Sequence, residues 1–213
     1  MKIKIIAIIS LLYFLNINPL YSIEPDVFVQ STVNKASKIL SDNISKEKKM
    51  EELQIIAKET VDIRGIGFYT IGQARKDLND EQKKNYLELF EKYFLKSFSS
   101  RLAEYTNPEI DVKSKEVLNE NYTIIYSVLK ATNERPEVKI DWRIYTKDQN
   151  NPLIRDLIIE GLSLARTQKE EFASILNSND GDINALFNVL KNFIKNWFLH
   201  TFYFYYLKLL YNY

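Results

Sequence analysis

Apolar positions recur first at helical spacing, then at every second residue, then at helical spacing again. Val29, Val33, Ala36 and Leu40 predict an amphipathic helix over 24–41, which Asp42-Asn43 stops. A second helix is expected from about Ser45, with Met50, Leu53, Ala57 and Val61 on one face and Lys and Glu on the other. Gly65, Gly67 and Gly72 punctuate 61–73 and predict a bent connector or short helical turns. Asn79 with Gln82 three residues on has the form of a capping box. Behind it a long helix is expected over 80–105, with Leu87, Phe90, Phe94, Phe98, Leu102 and Tyr105 along one stripe.

Pro108 closes the helical half, and the period changes to two. Strands are expected over 110–118, 121–131, 137–147 and 153–160, separated by turns at 119–120, 133–136 and 148–152. In the third strand Val138, Ile140, Trp142 and Ile144 share one side, while Lys139, Asp141, Arg143 and Tyr145 share the other. Helical spacing returns over 163–176 and 182–193. Helices, consecutive strands and helices again predict an α+β fold: an antiparallel twisted sheet of about four strands with helices packed on one face.

The ends depart from this body. Lys2 and Lys4 precede an apolar run, Ile5 to Leu15, that only Ser10 interrupts and that Asn16, Asn18 and Pro19 end. Too short to span a bilayer as a helix, it reads as an export signal over 1–22, with the mature chain starting near Ile23; the alternative is an N-terminal anchor that stays uncleaved. At the other end, 9 of the 28 aromatic side chains fall within 196–213. Three readings stay open for that extension: a membrane-contacting segment, a cover over an internal slot, or an unstructured or artefactual addition. The domain itself is placed at 23–195.

Composition narrows the chemistry. Without cysteine there are no disulfides, thiol nucleophiles or Cys-ligated metals. The single histidine, His200, lies in the extension, so the body lacks the residue for a Ser-His-Asp triad or a His metal site. Basic and acidic residues number 29 and 28, and Lys2, Lys4 and Lys208 lie in the ends, so the body has no electrostatic footprint for nucleic acid. The chain also has no EF-hand or P-loop pattern. Neither an enzyme nor a bound cofactor or metal is expected. Gly161-Leu162-Ser163-Leu164-Ala165 approaches a nucleophile elbow, but no body histidine can serve as its base. Gly161 is therefore read as a turn and Ser163 as a helix cap. What remains is apolar surface on opposed faces, which periodicity allows to be either a filled core or a hollow.

Several segments, in order, carry a family resemblance. They are Val61-Asp62-Ile63-Arg64-Gly65-Ile66-Gly67 with Ile71-Gly72, Asp80-Glu81-Gln82 opening the long helix, Val138 to Arg143, Ile154-Arg155-Asp156 through Glu160-Gly161-Leu162-Ser163, and Thr167 to Phe172. Together they resemble the MlaC-type periplasmic phospholipid-binding proteins, also called the toluene-tolerance auxiliary family, over about 26–192. Two positions depart from the family pattern: Arg75 stands where a tryptophan is usual, and Lys169 where an arginine is.

The resemblance implies a periplasmic carrier of glycerophospholipid. Its partners would be an inner-membrane lipid-transport ABC complex and an outer-membrane lipoprotein complex, and its role the maintenance of outer-membrane lipid asymmetry. It further implies that the sheet and helices enclose an apolar lipid cavity. Candidate lining residues are Phe90, Phe94 and Leu102 from the long helix, Val138, Ile140, Trp142 and Ile144 from the third strand, and Leu157 and Ile159 from the fourth. The alternatives are a membrane-tethered structural or interaction module with a filled core, and a hydrolase using Ser163.

Overall fold

The computed structural model of the protein describes residues 22–133 and 135–195. The proposed export signal over 1–22, but for its last residue, and the whole 196–213 extension lie outside them. Helix α1 (Pro25–Ser41) starts on a proline whose missing N–H costs nothing at that position. Helix α2 (Lys46–Thr60) is capped by the Ser45 hydroxyl, which accepts from Lys48 N at 3.2 Å. The glycine-punctuated connector resolves into a short helix, α3 (Ile63–Thr70), and a 3-10 turn (Gly72–Lys76). Helix α4 (Asp80–Leu102) carries the full capping box: Gln82 N donates to Asn79 Oδ1 at 2.8 Å, and Asn79 N to Gln82 Oε1 at 3.0 Å. Arg75, at the corner where the family has tryptophan, lies over the Phe68 ring at 5.3 Å, and Arg64 covers the same ring at 5.2 Å.

Strands β1 (Ile110–Asn119), β2 (Tyr122–Leu129), β3 (Val138–Tyr145), β4 (Leu153–Ile159) and β5 (Leu162–Ser163) form an antiparallel meander in sequence order. Sequence pattern predicts four of them. The two-residue β5 is too short to show alternation, and it follows a tight turn in which Glu160 (φ 49°) and Gly161 (φ 82°) both have positive φ. In β3 the expected alternation holds: Ile140, Trp142 and Ile144 are buried between less buried neighbours. Helices α5 (Leu164–Asn177) and α6 (Ile183–Lys195) complete the described chain.

The long helix differs from its expected stripe. Its buried residues are Tyr86, Leu89, Phe90, Leu95, Ser99 and Ser100, whereas Leu87, Phe94, Phe98 and Leu102 are half-buried and Tyr105 lies beyond the helix end. The cause is packing on several sides, because α2, α3 and α6 all contact α4. Polar groups enter this core only with partners. The Tyr86 hydroxyl lies 2.8 Å from Thr70 Oγ1 and donates to Gly67 O at 3.0 Å, while Ser99 Oγ accepts from Gln54 Nε2 at 3.1 Å.

Candidate functional site

An apolar cavity of about 140 Å³ lies between the helical layer and the sheet. Helix α1 contributes Val33, Ala36 and Leu40, and α2 contributes Leu53, Ile56 and Ala57. The far end of α4 adds Phe98 and Leu102, and the sheet adds Leu129, Ile140, Trp142, Ile154, Leu157 and Ile159. The two alanines matter: larger residues at these places on the helix faces would occupy the space. A cavity of roughly this volume accommodates a benzene-sized group, about six carbons.

The Ser and Thr hydroxyls and the indole N–H in this wall are all tied back into the protein. Thr32 Oγ1 donates to Phe28 O at 2.9 Å, Thr60 Oγ1 to Ile56 O at 2.8 Å and Ser37 Oγ to Pro108 O at 2.9 Å. Trp142 Nε1 donates to Ser127 Oγ at 2.8 Å, and that hydroxyl in turn donates to Ile140 O, also at 2.8 Å. With these donors satisfied by the protein, the wall offers an occupant little beyond hydrocarbon contact.

One edge of the cavity is stitched shut where α2 gives way to α3. Val61 bridges Ile154 in parallel, and Asp62 N donates to Ile154 O at 3.0 Å. The Asp62 carboxylate accepts from Arg155 Nε at 2.5 Å and from Gly65 N at 2.7 Å. Arg155 also lies over the Tyr145 ring at 4.6 Å. Gly65 makes room for this pair: a Cβ there would sit 2.5 Å from Asp62 Oδ2 and 2.7 Å from Arg155 Cζ, and one of the two side chains would have to shift. The Val-Asp-Ile-Arg-Gly run therefore has a physical basis as a clip that joins helices to sheet.

Of the nine residues expected from sequence, Leu102, Ile140, Trp142, Leu157 and Ile159 lie in the cavity wall. Phe90, Phe94, Val138 and Ile144 are not among its lining residues. Phe90 is 1 % exposed and belongs to an aromatic cluster, meeting Phe172 edge-on at 6.3 Å. Phe94 stacks between Phe90 and Phe98 at 6.1 and 5.5 Å. Val138 opens β3 opposite Leu129, and Ile144, wholly buried, pairs with Ile154 across the sheet. Sequence reasoning missed the helical side of the wall, α1 and α2. The available signal was an alanine in the middle of each apolar stripe, Ala36 and Ala57.

Ser163 has the capping role expected of it: its hydroxyl accepts from Arg166 N at 3.1 Å. It also donates to Asp156 Oδ2 at 2.6 Å, while Asp156 Oδ1 accepts from Ala165 N at 3.0 Å. Asp156 is 5 % exposed, so this carboxylate pins the start of α5 to β4 from inside. Among the described residues, no group of three His, Cys, Asp or Glu side chains comes together to hold a metal.

These features define a class: an open-sheet α+β protein whose helices and sheet enclose a mainly apolar cavity. The family model described as MlaC protein matches residues 30–192, and the chain belongs to the MlaC family. A solved structure of a phospholipid-binding protein from Ralstonia solanacearum, in complex with a phospholipid, is similar with a TM-score of 0.70. The alignment covers 82% of this chain and 98% of that one at 18% identity, a likeness of fold. No curated protein sequence matches the chain.

Proposed function

We propose that the protein is a carrier of glycerophospholipid in the periplasm, taking lipid from one membrane complex and delivering it to another in the maintenance of outer-membrane lipid asymmetry. The observation that carries this reading is the cavity wall, with its Ser and Thr hydroxyls and the Trp142 N–H all turned to partners within the protein. Each methylene moved out of water is worth about 0.8 kcal/mol, so two acyl chains of about 16 carbons represent roughly 25 kcal/mol of surface to shield. Membership of the MlaC family and the phospholipid bound to the Ralstonia protein of similar fold support the same reading. So does the pattern of residues 1–22, two lysines before a short apolar run, which fits export.

Loading requires widening. A cavity of about 140 Å³ takes about six carbons, far fewer than those of two chains. Helices α1 and α2 must therefore move away from the sheet as lipid enters. The chain has no nucleotide-binding loop to drive transport, so direction comes from the difference in lipid affinity at the donor and acceptor complexes. The partners proposed are an inner-membrane ABC complex and an outer-membrane lipoprotein complex. Transfer of a fluorescent phospholipid between donor and acceptor vesicles tests the function. The protein should speed transfer in proportion to its concentration, and transfer no faster than in its absence would refute the proposal.

A further inference from the structure

One hydroxyl of the cavity wall is not tied back. Tyr105, just beyond the end of α4, makes no side-chain hydrogen bond among the described residues, and it marks the end of the cavity formed with Pro108, Ile110 and Leu129. The connection from β2 to β3 passes beside this end, since Ile110 pairs with Leu129 and Lys130 N donates to Glu109 O at 2.9 Å. Arg135 from that connection lays its guanidinium over the Tyr105 ring at 5.0 Å.

Arg135 is poorly satisfied where it lies. Its Nη2 reaches the Lys130 carbonyl only at 3.5 Å, long for a hydrogen bond, and its Nε is buried with no hydrogen-bond partner. It is the one buried side-chain nitrogen or oxygen of this kind among the described residues. The neighbouring cation is already neutralised, with Lys130 Nζ 3.0 Å from Glu109 and 3.6 Å from Asp111. Arg135 has no carboxylate within ion-pair distance among the described residues. An Nε–H and an Nη–H of one guanidinium form the fork that grips two oxygens of a phosphate in parallel. The stack on Tyr105 holds the guanidinium at the end of the cavity that this residue lines, and among the described residues Tyr105 carries the one hydroxyl of that wall with no hydrogen bond.

We infer that Arg135 and the Tyr105 hydroxyl form a phosphate subsite that receives the headgroup end of a lipid whose chains enter the cavity. The inference rests on the proposal that the cavity holds phospholipid. It assigns the polar end of the ligand to the junction of the α4–β1 loop with the β2–β3 connection, and it makes the phosphate the element read, whatever is esterified beyond it.

The test offers the full chain equal amounts of phosphatidic acid and diacylglycerol with identical acyl chains, delivered from cyclodextrin complexes in phosphate-free buffer. Retained lipid is measured by mass spectrometry. Wild type should prefer phosphatidic acid roughly tenfold or more. Arg135→Gln should bring the preference close to unity while diacylglycerol uptake stays unchanged, and Arg135→Lys should keep part of it, having the charge without the fork. Added inorganic phosphate should reduce the preference in wild type and not in Arg135→Gln. Equal preference in wild type and Arg135→Gln overturns the subsite. Binding of inorganic phosphate at Arg135 with no preference between the two lipids overturns its assignment to a lipid headgroup. If wild type retains neither lipid, it is the carrier proposal that fails. Should Arg135→Gln not fold, Arg135→Lys carries the comparison.

Discussion

Ala57→Leu places three extra carbons in the cavity from a buried position on α2. Alanine and leucine have nearly equal helix propensity, so the backbone contributes little to the change. Three carbons take about half of a space that holds about six. In a cavity with room they remove about 2.4 kcal/mol of apolar surface from water at ~0.8 kcal/mol each, which stabilises the folded protein by up to that amount. The same carbons displace part of an acyl chain, and a similar loss corresponds to roughly fiftyfold weaker lipid binding. The expected result is a pair of opposite effects: a higher midpoint in urea unfolding and a lower yield of bound phospholipid. A filled core gives another outcome, because forcing extra carbons into it costs about 1–3 kcal/mol. Destabilisation with undiminished lipid binding would refute the placement of the acyl chains in this cavity.

Other expectations follow from the polar groups. Gly65→Ala should lower stability by about 1 kcal/mol in denaturant titration despite a gain of ~1 kcal/mol in helix propensity, because its Cβ collides with the Asp62–Arg155 pair; a more stable variant would contradict the clip. Asp156→Ala should cost about 3 kcal/mol, since it leaves the Ser163 hydroxyl and the Ala165 N–H without their acceptor inside the protein; a loss below ~1 kcal/mol would show that water reaches the site. Burial pushes the Tyr93 hydroxyl up to about 12 and raises Tyr86 as well. The folded state therefore keeps these protons after the unfolded chain has lost them, and stability should fall as pH rises from about 10 to 12. Tyr93→Phe should flatten that slope in thermal melts, and an unchanged slope would count against the burial of this hydroxyl.

The regular elements were legible because their apolar periods are long and their boundaries carry chemistry: Asn79 with Gln82, Ser45, Ser163 and the strand alternation from Val138 to Tyr145. Two features escaped a one-dimensional reading. Strand β5 is fixed by two positive-φ residues rather than by any pattern. The buried set on α4 depends on three helices meeting it from different sides, so Phe90 and Phe94 pack in an aromatic cluster while Phe98 and Leu102, two turns on, reach the cavity. Periodicity says which residues avoid water, and it leaves open whether they meet one another or enclose a space. That choice is made here by Ala36 and Ala57, whose short side chains leave a gap opposite Ile140 and Trp142.

The most direct measurement of the central claim is the lipid content of the protein itself. Protein exported to the periplasm and purified without detergent is extracted with organic solvent, and the extract is quantified by mass spectrometry. Glycerophospholipid approaching one molecule per protein chain is expected, reduced in Ala57→Leu. Repeated preparations that yield none, from protein that folds and melts normally, would contradict the carrier function.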